Sequence, residues 1–419
     1  MRKLLTIFRK VYSSEEWVWF LIWFTLPVSI RLNSLSILIG TLVILVSYIR
    51  NPHTISRRQL VHLSIPFMFF LLHALGVFNS LLNLQTWKEL EQMLPFLVIP
   101  LLFILGKTGK NTFTQIALTA LVLSLTISGV IMLVESTWRF IPDMDFSYYT
   151  YHNLIAPFHS GAIYFSLFLI AVLFQINELT WLSRNRWWKY IIVIFILILL
   201  FLAASKLMIG IGIPLFILKY RNQLIYTFLR RKIIIPIIIL LGLIIVVPVG
   251  LRLNKLLKPN LEEVFAEQYK YDSPMNGLNL RLIQARFGMK ILEENNAWLT
   301  GVGILDAQKL LNIKYIEYGL YTGYEGTDDT GYLNYNFHNQ FVETFVRSGI
   351  IGIVLLFAMF LSLLMIPQSK LFISHWIILI VFMFFITESV LERQQGIVYF
   401  CLIYSSYFYK HPQFDNRIE

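Results

Sequence analysis

The chain is poor in charge and has one cysteine. Of its 419 residues 14% are charged and 57% are hydrophobic. A water-soluble fold has no use for so much apolar surface. The single cysteine, Cys401, lies inside an apolar run, so it forms no internal disulfide and reads as a soft core residue. Internal repeats and low-complexity tracts are absent. No small-residue cleavage site follows the basic start, so the first apolar run reads as a retained helix rather than a cleaved signal. Nucleic acid is not implied by the net charge of +11, because the basic residues cluster in short loops between apolar runs, as orientation signals do.

What is present is a series of apolar runs, each long enough to cross about 30 Å of hydrocarbon. They do not alternate apolar and polar residues, which excludes a β-barrel. The expectation is an all-α polytopic membrane protein with about twelve transmembrane helices, near 17–31, 33–49, 60–82, 91–106, 112–134, 157–177, 188–204, 206–220, 233–250, 340–366, 371–387 and 390–409. Alternate connections carry the basic residues, among them Arg2 and Lys3, Arg57 and Arg58, Lys107 and Lys110, Arg184 and Arg186, Arg230 and Arg231, and Lys410. Both termini therefore read as cytoplasmic. The chain divides into 1–250 with nine spans, a large outer loop over 251–339, and 340–419 with three more spans. A smaller outer loop covers about 135–156. The cytoplasmic loops hold no nucleotide-binding string, so chemistry is expected outside, where the energy must arrive with the substrate.

His338-Asn339 closes the large loop at the mouth of the tenth span. A neutral imidazole there can accept a proton from an attacking hydroxyl. Asn339 is placed to orient the ring or hold a sugar hydroxyl. The competing reading is a polar pair that merely caps a helix. Phe341, Val342 and Phe345 follow as an apolar face, and Gly349 and Gly352 would let another helix approach closely. In the loop, Asn279 reads as the cap of a helix from Leu280 to Glu294, with Leu280, Ile283, Phe287 and Ile291 as its buried stripe. Trp298 to Gly303 reads as a turn.

That helix carries Arg281 in its first turn and Arg286 five residues on. They stand roughly 140° apart around the axis. They flank one anion only if the helix covers a cavity mouth; otherwise they form a solvated face with Lys290. Lys206, at a tight break between two spans, fits either a snorkelling lysine or a phosphate contact. His152 and His159 border the smaller loop beside Tyr148, Tyr149, Tyr151 and Phe158, a composition shared by sugar-stacking sites and ordinary membrane interfaces. Asp328-Asp329, flanked by glycines, is more often a turn than a divalent-cation site. Glu388 and Glu392, one helical turn apart beside Arg393, read as a structural ion pair, with acceptor binding as the alternative.

His338-Asn339 with Gly349 and Gly352, preceded by Trp298…Gly301-Val302-Gly303 and by Arg281 and Arg286, resembles the bacterial O-antigen ligase and polymerase family. The motif-bearing resemblance covers about 200–365, and the layout of spans resembles the family over the whole chain. It implies a membrane glycosyltransferase of the GT-C type. Such an enzyme takes a glycan from undecaprenyl pyrophosphate at the periplasmic face of the inner membrane. It passes the glycan to lipid A-core, to another lipid-linked repeat or to protein hydroxyls. No cofactor, metal or nucleic acid is implied. His338 would match the family's essential histidine, and Arg281 and Arg286 its pyrophosphate-binding arginines. Ser205-Lys206 is similar to a Ser-Arg pair with the bidentate fork lost. Phe158-His159-Ser160 is similar to a looser pattern. A transporter of lipid-linked sugars is the rival from another class, disfavoured by the scarcity of intramembrane charge.

Overall fold

The computed structural model describes residues 14–77, 84–158, 161–183, 185–203, 208–230, 260–269, 275–324, 326–327, 329–365 and 374–405. Every regular element among them is helical. In chain order these are α1 (Ser14–Thr25), α2 (Ile30–Arg50), α3 (Arg57–Val77), α4 (Leu84–Met93), α5 (Pro95–Leu105), α6 (Lys110–Asp143), α7 (Tyr151–Ile155), α8 (Ala162–Gln175) and α9 (Thr180–Ser183). They continue with α10 (Arg186–Leu202), α11 (Ile213–Arg230), α12 (Leu261–Val264), α13 (Gly277–Glu294), α14 (Ile304–Glu317), α15 (Gln340–Leu364), α16 (His375–Thr387) and α17 (Gln394–Ser405). Each expected span overlaps a helix except 233–250, which lies outside the described residues.

By length and composition, Ile30–Arg50, Lys110–Asp143 and Gln340–Leu364 can each cross a membrane alone among the described residues. Tyr151–Phe158 with Ala162–Glu178, bent by 85°, would make a fourth span as a pair. The other apolar helices are shorter.

The helices are patterned for an apolar surround. On α2, Leu35, Leu38 and Leu42 face outward while Asn33, Ser36 and Gly40 face the bundle. Asn33 donates its amide to the Ile22 carbonyl at 2.8 Å and to Thr25 Oγ1 at 3.1 Å. A Cβ on Gly40 would lie 2.6 Å from Val18 Cγ1. Small and polar residues inside with leucines outside is the inverse of a soluble helix and fits helices meeting in lipid. Helix α8 is buried along nearly its whole length and packs against α6 and α10. Together with the aromatic contacts of α15, α16 and α17, this core makes a multi-pass membrane bundle. Cys401 is buried in it.

A second, smaller core belongs to the segment 260–346. Helices α13 and α14 form a hairpin that packs on α15. Leu280, Ile283, Phe287 and Ile291 are all buried, as the stripe predicts. Each contributes about 1.5–3 kcal/mol by leaving water. The start of α13 differs from expectation. Its cap is Asn276, whose side chain accepts from Leu278 N–H at 3.2 Å. Asn279 is buried one turn inside, bonded to Glu263 and to Asn260 N–H. Arg281 therefore lies beyond the first turn, and the free N–H groups of the helix start are not beside it.

Helix α15 is broken at Gly349, whose φ of 62° and ψ of −162° are non-helical. The expected partner at this glycine was another helix. Its actual neighbour is the Trp298–Gly303 turn: Ile350 N–H donates to Trp298 O at 2.9 Å, and Val302 N–H to Val346 O at 2.8 Å. A Cβ on Gly349 would sit 2.2 Å from Leu299 O. One on Gly352 would meet Ser348 of its own helix at 2.5 Å. The turn thus locks the α13–α14 hairpin onto α15 a few residues past His338.

Candidate active site

His338 stands between Phe337, buried in the smaller core, and Asn339, the cap of α15. Asn339 Oδ1 accepts from Phe341 N–H at 2.9 Å and Val342 N–H at 3.1 Å. The capping role weighed for the His-Asn pair thus falls to Asn339. His338 itself has a φ of 45°, the left-handed region. Such a conformation costs of order 1–3 kcal/mol unless the surroundings impose it. Asn336 Oδ1 accepts the His338 N–H at 2.9 Å and so holds the peptide that leads into it.

The imidazole Nδ1 lies 3.2 Å from Glu388 Oε2. Glu388 closes α16 in an extended conformation. Its other oxygen, Oε1, accepts from Arg281 Nη2 at 3.0 Å. Arg281 also donates from Nε to Thr387 O at 3.1 Å and from Nη1 to Gly277 O at 3.0 Å. One carboxylate therefore joins the histidine of the loop end to the arginine of α13. Glu388 and Glu392 do not share a helical turn, and Glu388 is paired with Arg281 rather than Arg393. Three of the five N–H groups of Arg281 are accounted for by these bonds. Its side chain is 34% exposed, so it is not sealed into the core.

Hydrogen-bonded to a carboxylate through Nδ1–H, the ring presents Nε2 as its basic nitrogen. Tyr335 packs edge-on against it, with ring centroids 5.8 Å apart. Tyr151, from α7, interacts electrostatically with Glu388, Arg281 and Tyr335. Its hydroxyl titrates above the usual tyrosine range, first through burial and then through Glu388. Burial, with Arg393 nearby, pushes the next residue, His152, down. The smaller loop is tied to α6 by Tyr148 on Asp143 and Tyr149 on Thr137.

Arg286 points elsewhere. Its Nη1 donates to Val264 O at 3.0 Å and Ala266 O at 2.8 Å, and its guanidinium lies over the Phe265 and Tyr318 rings. The two arginines diverge as their spacing requires. Asp329 is engaged in its turn, accepting from Tyr321 and from Gly331 N–H. Lys206, His159 and Asp328 lie outside the described residues.

Beneath the site runs a set of charges that sequence reasoning passed over. Gln340, Glu343, Thr344 and Arg347 are all buried on one face of α15. The Arg347 guanidinium approaches Glu343 at 2.5 Å and Glu392 at 3.1 Å. The signal was the polar spacing of three, four and seven inside an otherwise apolar run.

No curated protein matches the chain. Residues 191–357, from within α10 to within α15, match the family model described as O-antigen ligase, which supports the resemblance to the O-antigen ligase and polymerase family over that part of the chain.

Proposed function

We propose that the protein is a membrane glycosyltransferase. It would move an oligo- or polysaccharide from undecaprenyl pyrophosphate to an acceptor hydroxyl, lipid A-core foremost, at the periplasmic face of the inner membrane. The observation that carries this reading is the His338–Glu388–Arg281 arrangement, a candidate base and a candidate anion contact joined by one carboxylate. The family match, which contains His338 and Arg281, supports the class of reaction.

In this mechanism the acceptor oxygen attacks the anomeric carbon from the face opposite the pyrophosphate, with inversion. His338 Nε2 takes the acceptor proton, and Glu388 stabilises the imidazolium that forms. The C–O bond to pyrophosphate breaks, and its electron pair leaves on the lipid pyrophosphate. Arg281 offsets that charge, with Lys206 as a further phosphate contact; Arg286 would have to leave the Val264 and Ala266 carbonyls to join them. Asn339 keeps its cap and orients the acceptor through the fixed start of α15. His159 belongs to the acceptor side. Neither metal nor cofactor enters a step.

The test is transfer by purified protein in detergent, where no membrane remains to be crossed. His338→Ala abolishes transfer and leaves membrane insertion intact; full transfer by that variant overturns the assignment. EDTA leaves the rate unchanged, and a loss on chelation would mean that a metal takes part. Polymerase activity, the same chemistry with a second lipid-linked repeat as acceptor, is separated by deletion phenotype. Ligase loss strands long chains on the carrier lipid. Polymerase loss leaves single repeats on the final acceptor.

A further inference from the structure

We infer that the buried charges of Glu343 and Arg347, with the partly buried Glu392 and Asn336, are a positioning device that sets His338 against Glu388. The inference rests on the proton-accepting role proposed for His338.

Two chain segments carry the pair: 336–339 brings the histidine and 387–392 brings the carboxylate. Each of the two carboxylates holds both segments. Glu343 Oε2 accepts from Phe337 N–H at 3.2 Å and from Ser389 Oγ at 3.0 Å, the residues immediately before His338 and after Glu388. Glu392 belongs to the second segment and accepts from the side-chain amide of Asn336 in the first. The same Asn336 side chain then accepts the His338 N–H. Arg347 lies against both carboxylates and offsets their charge. Gln340 adds a third tie, accepting from Leu391 N–H at 2.6 Å.

Packing alone does not call for this arrangement. A buried ion pair is commonly no more stable than apolar residues of the same volume. Stability is thus a poor reason for an arginine 7% exposed between two carboxylates. What apolar residues cannot do is fix two backbone segments by directed bonds. His338 has a use for that, because a positive φ is uncommon for a residue other than glycine. The reach of the device is short and ordered: Arg347 orients Glu392, Glu392 orients Asn336, and Asn336 holds the peptide N–H of His338. None of these residues is bonded to the imidazole, so each acts through another and none is catalytic.

The test compares full-length wild type, Asn336→Ala, Glu392→Ala and the double variant in detergent, with an undecaprenyl-pyrophosphate-linked repeat unit as donor and lipid A-core as acceptor. Each single change is expected to lower kcat by about 10²-fold, the scale of an angstrom-sized misplacement, with donor KM within about twofold and little change in melting temperature. Because the residues act in series, the double variant falls within about threefold of the worse single one. Kcat within about threefold of wild type in both folded single variants overturns the inference, and so do multiplying effects in the double variant. Should Asn336→Ala fail to fold, Glu392→Ala reads the same link from its other end; loss of folding in both shows a structural brace only and also overturns it. A wild type that transfers nothing to lipid A-core or to a second lipid-linked repeat sinks the proposed function and this inference together. Transfer by wild type with unaffected variants sinks the inference alone.

Discussion

Glu388 divides its two oxygens between a guanidinium and an imidazole, so its charge decides which ring nitrogen of His338 carries the proton. An amide in its place would keep the shape and lose that control. Glu388→Gln is therefore expected to insert and fold normally while transfer falls by about 10²–10⁴-fold, the cost of presenting a histidine in the wrong tautomer. Single-turnover rates with saturating donor check this, and a rate within about threefold of wild type would contradict it. Arg281 offers a contrast. Arg281→Lys keeps the charge but loses the fork that reaches both Thr387 and Glu388, so a loss of about 10–10²-fold is expected, smaller than for Arg281→Gln. At this scale the sequence singled out His338 and Arg281 as candidates but not the carboxylate that joins them. Glu388 lies 50 positions beyond His338, and only the packing of α16 against α15 brings it back. Asn339 was legible as a polar partner of the histidine, yet its bonds go to the helix it starts.

Among the elements, α15 is decided by one backbone angle. Gly349 is left-handed and also receives the Leu299–Thr300 peptide at close range. Gly326 has a φ of 81° with no atom near its absent Cβ, so a substitution there meets strain alone. Gly349→Ala is expected to cost the strain of about 1–3 kcal/mol plus the clash with Leu299 O, and to lower the melting temperature well beyond Gly326→Ala. Equal shifts in the two variants, read by thermal unfolding in detergent, would show that the turn is not held there. The apolar stripe of α13 and the turn at Trp298 were legible because period and turn chemistry are local signals. The cap of α13 was misplaced by three residues because Asn276 and Asn279 are chemically equivalent in sequence, and only the buried partners Asn260 and Glu263 tell them apart. The break in α15 was hidden for a related reason: a glycine in an apolar run looks the same whether it admits a helix or a turn.

For the whole molecule, the order of the helices follows the apolar runs closely, since hydrocarbon thickness constrains length without regard to partners. The electrostatic coupling of Tyr151 in the smaller loop to Glu388 and Arg281 depends on tertiary packing and leaves no trace in spacing. The family match ends at residue 357, so the two acids that face His338 and Arg347 from the far segment, Glu388 and Glu392, complete the site from outside the matched region. Orientation in the membrane is an expectation from the loop charges alone and can be tested directly. Thr327 and Arg57 are both exposed and belong to connections expected on opposite faces. Thr327→Cys should react with an impermeant maleimide added from the periplasmic side, and Arg57→Cys only after the membrane is opened. The reverse pattern would invert the topology. Cys401 makes this a clean measurement. As the only thiol of the chain, and one packed inside the bundle, it gives the native protein a blank background. A probe placed at any surface position reports on that position alone, with no native cysteine to remove first.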